Sequence, residues 1–447
     1  MSLHSYPEYV DSPIHWLHKQ PITWAAKPVK VIASINDETL TEAVDSERTI
    51  EYVDIGSVSL SKGIEKTETL LFGESPSRAR RVPREGDVLV STVRTYLKAI
   101  APVTNQPSNL VASTGFAVVR PRPEIEPSYL KYALQEEHFI QEVISRSTGV
   151  SYPAINASDI GRVLVPVPGK DEQQVIATFL DRETAKIDAL IAEQQHLIEL
   201  LQEKRQAVIS HAMTKGLNPN APMKDLGVEW LGEVPEHWGV RRLRHIGTLQ
   251  NGLNISGEAF GEGDPFISYG DVYKNPNVPQ KPAGLVRSTP EDKQKYGLER
   301  GDVLFTRTSE TVDDIGVAST CLEQIPHSTF AGFLIRLRPL KGVLEPRYST
   351  HLFRNQGVKT HFAGTMNMVT RASLSQGELG NLAICLPSLD EQLKIASAIE
   401  EMAGQSDQLI SSAWKLVALL QERRSALISA AVTGQIDVRG LTEEVAA

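Results

Sequence analysis

Hydrophobic positions recur at alternating steps of four and three along two stretches of this chain. Ile176, Leu180, Ile187, Leu190, Leu197, Leu201 and Val208 form the first seam, and Ile395, Ile399, Met402, Leu409, Leu416, Leu420 and Leu427 form the second. A 3.5-residue period predicts long coiled-coil helices. Pro168 and Pro387 precede their starts, Asp171 and Asp390 are placed as first-turn acids, and Gly216 and Gly434 stand just past their ends. At about 1.5 Å per residue, each helix reaches roughly 65 Å.

The two stretches are copies. Residues 171–213 and 390–432 align without a gap at an offset of 219, and 18 of the 43 pairs are identical. Glu126-Pro127-Ser128-Tyr129 matches Glu345-Pro346-Arg347-Tyr348 at the same offset. Gly86-Asp87-Val88-Leu89 matches Gly301-Asp302-Val303-Leu304, and Trp16, Leu17, Pro21 and Trp24 match Trp230, Leu231, Pro235 and Trp238. The chain is therefore a globular unit plus a long helix, duplicated. Duplicated units related by a pseudo-two-fold axis run their helices in opposite directions, which predicts an antiparallel intramolecular pair.

Between the helices the pattern shortens to β-rich runs at 52–55, 88–91, 116–119 and 163–167, then at 265–268, 303–306 and 333–336, punctuated by Gly-Asp pairs and prolines. One helix interrupts each set, near 128–145 and 347–362. The fold class expected is α/β (α+β): two similar globular domains joined and separated by two antiparallel helices. The boundaries read as 1–168 for the first domain, 169–214 for the first helix, 215–387 for the second domain, 388–434 for the second helix and 435–447 for a flexible tail.

Composition narrows the class. Two cysteines, Cys321 and Cys385, in 447 residues suit a reducing cytoplasm and exclude a disulfide framework. No apolar run is long enough to span a membrane, and no signal pattern opens the chain. The net charge of −9 is unusual for a nucleic-acid binder. Binding depends on local potential, however, and six basic residues lie between Arg78 and Lys98 against Glu85 and Asp87. No Asn/Asp-Pro-Pro-Tyr/Phe stretch, Gly-rich phosphate loop or metal-ligand set appears, and His15 with His18 lacks the partners a metal needs. The chain is expected to catalyse nothing by itself.

Taken in order, these motifs resemble the specificity (S) subunit of bacterial type I restriction–modification enzymes. The resemblance is carried by Trp230-Leu231-Gly232-Glu233-Val234-Pro235-Glu236-His237-Trp238, by Arg300-Gly301-Asp302-Val303-Leu304-Phe305-Thr306-Arg307, by Leu386-Pro387 before Asp390-Glu391-Gln392, and by the helix end Leu420-Gln421-Glu422-Arg423-Arg424. The first unit departs from the pattern: Trp16-Leu17-His18-Lys19-Gln20-Pro21 lacks the Gly-Glu element. The resemblance implies two target-recognition domains, each reading half of a split double-stranded DNA target across a two-helix spacer. It further implies two adenine-methyltransferase (M) subunits and restriction/translocase (R) subunits as partners, in the cytoplasm of a bacterium or archaeon. S-adenosylmethionine, ATP and magnesium would then belong to those partners and not to this chain. A protein-binding tether and an uncharacterised nuclease are the competing readings.

Candidate DNA contacts follow from side-chain chemistry. Arginine suits phosphate and guanine edges. The run Arg78, Arg80, Arg81 and Arg84 is the densest. After the Gly-Asp strand come Thr92, Arg94, Tyr96 and Lys98, with Arg307, Thr308 and Ser309 at the equivalent place in the second unit. The polar loops before the last strand of each unit supply Ser151 and Tyr152, and Asn367 and Arg371. Arg241, Arg242 and Arg244 are the second unit's cationic cluster.

Overall fold

A computed structural model describes residues 4–225, 227–228, 230–255, 257–309, 314–365 and 372–441. The chain divides into two compact units, Met1–Gln195 with Lys415–Ala447 and His196–Trp414. Each unit thus contains a globular domain and half of each long helix, Lys170–Lys215 and Leu389–Val432.

In the first unit an antiparallel four-stranded sheet runs in the order Ile100–Pro102, Val88–Ser91, Phe116–Pro121, Ala33–Ile35. A second sheet runs Glu68–Leu71, Thr49–Val53, Leu110–Ser113, Ala79–Arg81, with its middle pair parallel. Helices Pro127–Gln135 and Glu137–Ser145 follow. The second unit repeats the first sheet as Gly247–Asn251, Leu334–Pro339, Val303–Thr306, Ala318–Thr320, and repeats the helices as Pro346–Phe353 and Gln356–Thr365. Its second sheet is smaller: Gly284–Val286, Phe260–Ile267 and Thr329–Phe330.

The repeated motifs are the joints of this architecture. Gly86 and Gly301 take φ of +87° and +95°, a left-handed turn open to glycine. The aspartate after each is buried and accepts the backbone N–H of Arg84 or Glu299 at 2.8 Å. Its second partner is an arginine from the neighbouring strand, Arg120 on Asp87 and Arg338 on Asp302. A buried carboxylate is tolerated only with such partners.

The Asp-Glu-Gln motif has the same logic. Gln173 and Gln392, both buried, accept the backbone N–H of Glu126 and Glu345 at 2.9 Å. Their amide groups donate to Pro168 and Glu124, and to Pro387 and Val343. The Glu-Pro-x-Tyr motif is held from the other side, for Tyr129 donates to the Pro166 carbonyl and Tyr348 to that of Cys385. The start of each long helix is thereby tied to the helix of its own domain.

Within each unit the long helices run antiparallel. In the first, Asp188 accepts from Arg424 at 2.8 Å, while Leu180 packs with Ile428, Ala431 and Val432. In the second, Arg205 lies 3.3 Å from Asp407, and Ile209, Ala212 and Met213 pack with Ile395, Ala396 and Ile399.

The seam differs from the one the apolar pattern predicts. Leu180, Ile187, Ile399 and Leu420 are buried, and Leu201, Val208 and Leu427 half-buried, but Leu190, Leu197, Leu409 and Leu416 are exposed. The contact line passes through Thr184, Ile191, Gln194, Ile198 and Arg205, and through Ile410, Ala413, Val417 and Arg424. It keeps the 3.5 period but sits one residue later at the four misplaced leucines. Polar members set this phase: Thr184 satisfies its hydroxyl on the Leu180 carbonyl, and Arg424 on Asp188.

The chain's last residues also depart from expectation. The flexible tail read over 435–447 is packed as far as Leu441, with Val438 fully buried and the Asp437 N–H donating to the His4 carbonyl. Residues 442–447 lie outside the described part.

The corrected seam makes a sharp prediction. Ile198 is 3% exposed and Leu197 42%. Ile198→Lys buries an unpaired ammonium and is expected to cost about 3 kcal/mol or more. Leu197→Lys should stay within about 0.5 kcal/mol of the parent. Thermal unfolding of the two variants checks this, and equal melting temperatures would place the seam wrongly.

Candidate nucleic-acid interface

In the first unit, strand Val88–Ser91 feeds directly into the loop carrying Thr92, Arg94, Tyr96 and Lys98. The fold brings the second polar loop onto it. Val93 bridges Ala154, the Arg94 N–H donates to the Pro153 carbonyl at 2.8 Å, and the Thr95 and Ser147 hydroxyls bond at 2.8 Å. Arg94, held at φ +50°, lays its guanidinium over the Tyr152 ring at 4.8 Å. Around that pair Tyr96, Leu97 and Ser151 are exposed, and Val150 is fully so. Left-handed φ at Arg94 and Lys98 is strained for residues of their kind. The strain is carried by the 95–97 turn, which points Tyr96 outward.

Sequence reading grouped four arginines that the structure separates. The Arg78 carbonyl accepts from Thr114, and Gly115 accepts from Thr92, so the Arg78 backbone lies near the start of the Arg94 loop. Its side chain, 58% exposed, donates to Tyr52 and reaches Asp54 at 3.3 Å; the Tyr52 hydroxyl raises its pKa further. Arg80 lies over the Phe72 ring, and Arg81 is half-buried on Thr39, where burial lowers its pKa. Arg84 stands at the opposite end of Val88–Ser91, paired with Glu38. The run is thus no single cationic patch: alternation along Ala79–Arg81 sends neighbours to opposite faces. Thr92 and Lys98 are also committed, the hydroxyl to the Gly115 carbonyl and the ammonium to Glu137 at 2.8 Å.

The second unit builds the same joint. Strand Val303–Thr306 leads to Arg307, and Thr308–Ser309 pairs with Ala372–Ser373. The repeat maps the Val93–Ala154 bridge onto Thr308–Ser373. Arg307 donates its N–H to Phe333 and accepts from Leu374. Its buried Nε has no hydrogen-bond partner among the described residues. Phe333, 63% exposed, stands where Gly115 stands in the first unit, and sequence reading missed it because the strand run there looked like core. Val150 was missed for a different reason, since an apolar residue in a Gly-Ser loop shows its exposure only in three dimensions.

Arg241 and Arg242 sit apart, exposed on strand Gly239–Arg242, which pairs with Ala383–Leu386 just before the second long helix. Arg244 donates to Asn381 at the far end of the short helix Gln376–Asn381 from Leu374. Asn367 and Arg371 lie outside the described residues.

Among the described residues no group of histidine, cysteine or acidic side chains is arranged to hold a metal ion, and no helix is long and apolar enough to cross a membrane. Each unit presents cationic, aromatic and hydroxyl groups on two joined loops at a strand end, a set suited to phosphates and base edges.

Comparison with known proteins agrees with this chemistry. The chain is similar to the EcoKI specificity subunit of Escherichia coli K12, 23% identical over 335 residues covering 73% of this chain and 69% of that one. It is 21% identical over 447 residues to the StySPI specificity subunit of Salmonella potsdam, covering 95% and 92%. In fold it is similar to a chain solved in a study of assembly and conformational transition of a type I restriction–modification system, with a TM-score of 0.73 at 21% identity over 94% of this chain and all of that one. The HsdS subunit of Thermoanaerobacter tengcongensis gives 0.52 at 22% identity, over 94% and 99%. The family model for the type I restriction modification DNA specificity domain matches residues 21–200 and again 235–410, one copy for each repeat. With most of its length so matched, the chain belongs to the DNA specificity subunits of type I restriction–modification systems, which recognise DNA and leave catalysis to other subunits.

Proposed function

We propose that each domain reads one half of a split duplex target through its joined pair of loops. The observation that carries this is the repeated joint, at Val93 with Ala154 and at Thr308 with Ser373, bearing unlike side chains. One face offers Arg78, Arg94, Tyr96 and Tyr152; the other offers Arg307, Thr308, Ser309 and Phe333. Equivalent placement with different chemistry is what two unlike half-sites require. The acidic net charge is compatible with this, because phosphate attraction acts within about a Debye length, ~8–10 Å.

The same reading extends to partners. A duplicated chain with two equivalent domains favours two copies of one methyltransferase subunit, since like surfaces recruit like partners. S-adenosylmethionine, ATP and magnesium would be held by the methyltransferase and restriction subunits. Family membership favours neither a protein-only tether nor a nuclease.

Two experiments follow. Exchanging residues 25–165 for the equivalent domain of a relative should change one half of the methylated sequence and leave the other intact; a chimera altering both halves contradicts one reader per half-site. Within the first unit, Arg94→Ala should weaken binding to target duplex by about 1–3 kcal/mol. Arg84→Ala, at the far end of the strand and paired with Glu38, should change it by less than about 0.5 kcal/mol. Fluorescence anisotropy with a labelled duplex measures both, and a larger loss from Arg84 would move the face to the other end of the sheet.

A further inference from the structure

The second unit contains a cavity of about 500 Å³ between the first long helix near Arg205, the helices Pro346–Phe353 and Gln356–Thr365, and Glu400 of the second long helix. Arg205, Arg347, Arg354 and Lys359 line it, and Glu400 is its one carboxylate among the described residues. Glu400 is already engaged by Arg347 through both oxygens. Arg354 donates Nε to the Ala318 carbonyl and Nη2 to those of Val272, Tyr273 and Asn275, which hold the guanidinium without neutralising it and leave Nη1 without a hydrogen-bond partner among the described residues. The Lys359 ammonium has neither a hydrogen bond nor an ion pair among the described residues, and Arg205 lies 3.3 Å from the exposed Asp407, which is not part of the cavity lining. His351 also lines the cavity, and burial lowers the pKa of its imidazole, which disfavours a further positive charge there.

The first unit supplies an internal control. Its cavity at the equivalent place, about 290 Å³, has Gln135 where Arg354 stands, Asp181 where Glu400 stands and Arg424 where Arg205 stands. There each lining cation has a carboxylate partner: Lys62 pairs with Glu65 at 3.7 Å, Lys131 with Asp181 at 2.6 Å and Arg424 with Asp188 at 2.8 Å. The fold therefore does not need a positive surplus at this position, and the second unit carries one. Holding uncompensated cations together in a recess costs free energy that an anion would recover. A planar guanidinium beside a free ammonium is the usual cradle of a phosphoryl group, and the volume lies within the range of small-ligand sites.

We propose that this cavity binds a phosphate group, from free phosphate or a nucleotide or from the DNA backbone, with Lys359 and Arg354 as its principal contacts. The proposal is independent of which loops read bases.

The test uses the full chain and Lys359→Gln, a change that removes no internal partner. Inorganic phosphate is titrated calorimetrically in chloride of matched ionic strength, and the salt dependence of binding to non-target duplex is measured alongside. If the source is free phosphate, the parent binds it and the variant binds about tenfold more weakly, with the DNA salt slope unchanged. If the source is the backbone, the variant lowers that slope by about 0.9. A variant that alters neither measurement overturns the proposal. So does one whose only defect is weaker methyltransferase binding, which would put a partner's carboxylate in the cavity.

Discussion

Two buried glutamines hold the architecture in register. A side-chain amide removed from water needs its donors and acceptor satisfied, and each of Gln173 and Gln392 meets that need with one backbone N–H and two carbonyls. Those partners come from the loop before the domain's helix and from the last residues of its closing strand segment. The amide thus fixes three chain segments at the first turn of a long helix. An apolar residue there would leave three polar backbone groups unpartnered, and a shorter amide would not reach both sides. The tyrosines of the Glu-Pro-x-Tyr motif and the buried aspartates of the Gly-Asp turns extend the same constraint into the sheet, so the strand ends that carry the loops inherit a fixed position.

That rigidity lets the loops vary. Each domain delivers two loops to one place through a backbone bridge, and the bridge asks nothing of the side chains beside it. Arg94 over Tyr152 in one domain and Arg307 next to Phe333 in the other are alternative contents of one frame. The frame's residues are therefore shared between the repeats while the faces differ. The same contrast appears in the two equivalent cavities, whose lining cations are all paired in the first unit and in surplus in the second.

The frame was legible in the sequence and the faces only partly. The repeat exposed the duplicated domains, the long helices and the joints, because a motif that must satisfy buried polar groups tolerates few substitutions. The seam's phase was misread at Leu190, Leu197, Leu409 and Leu416. An apolar stripe identifies a seam only when apolar residues monopolise it, and here Thr184, Gln194 and Arg424 occupy it. The loops at 92–98 and 147–152 were recognised one by one, and their meeting at Val93 and Ala154 depends on sheet topology that spacing does not encode. The arginine run failed for a local reason: consecutive residues on a strand point apart, and Asp54, Phe72, Thr39 and Glu38 engage them separately. Phe333 and Val150 escaped notice because hydrophobicity predicts burial, and exposure at a loop tip reverses it.

The central claim is that the two composite faces lie on opposite halves of one target, and site-directed DNA cleavage tests it most directly. Both native cysteines are fully buried, and burial pushes each thiol up to about 12, so an introduced cysteine is the one reactive thiol. A cleaving chelate attached through Tyr96→Cys, and separately through Thr308→Cys, is mapped on a duplex bearing the methylated sequence. The account predicts cuts confined to one half-site from the first probe and to the other half-site from the second. Cuts in the same half from both probes, or scattered without relation to the target, would contradict it.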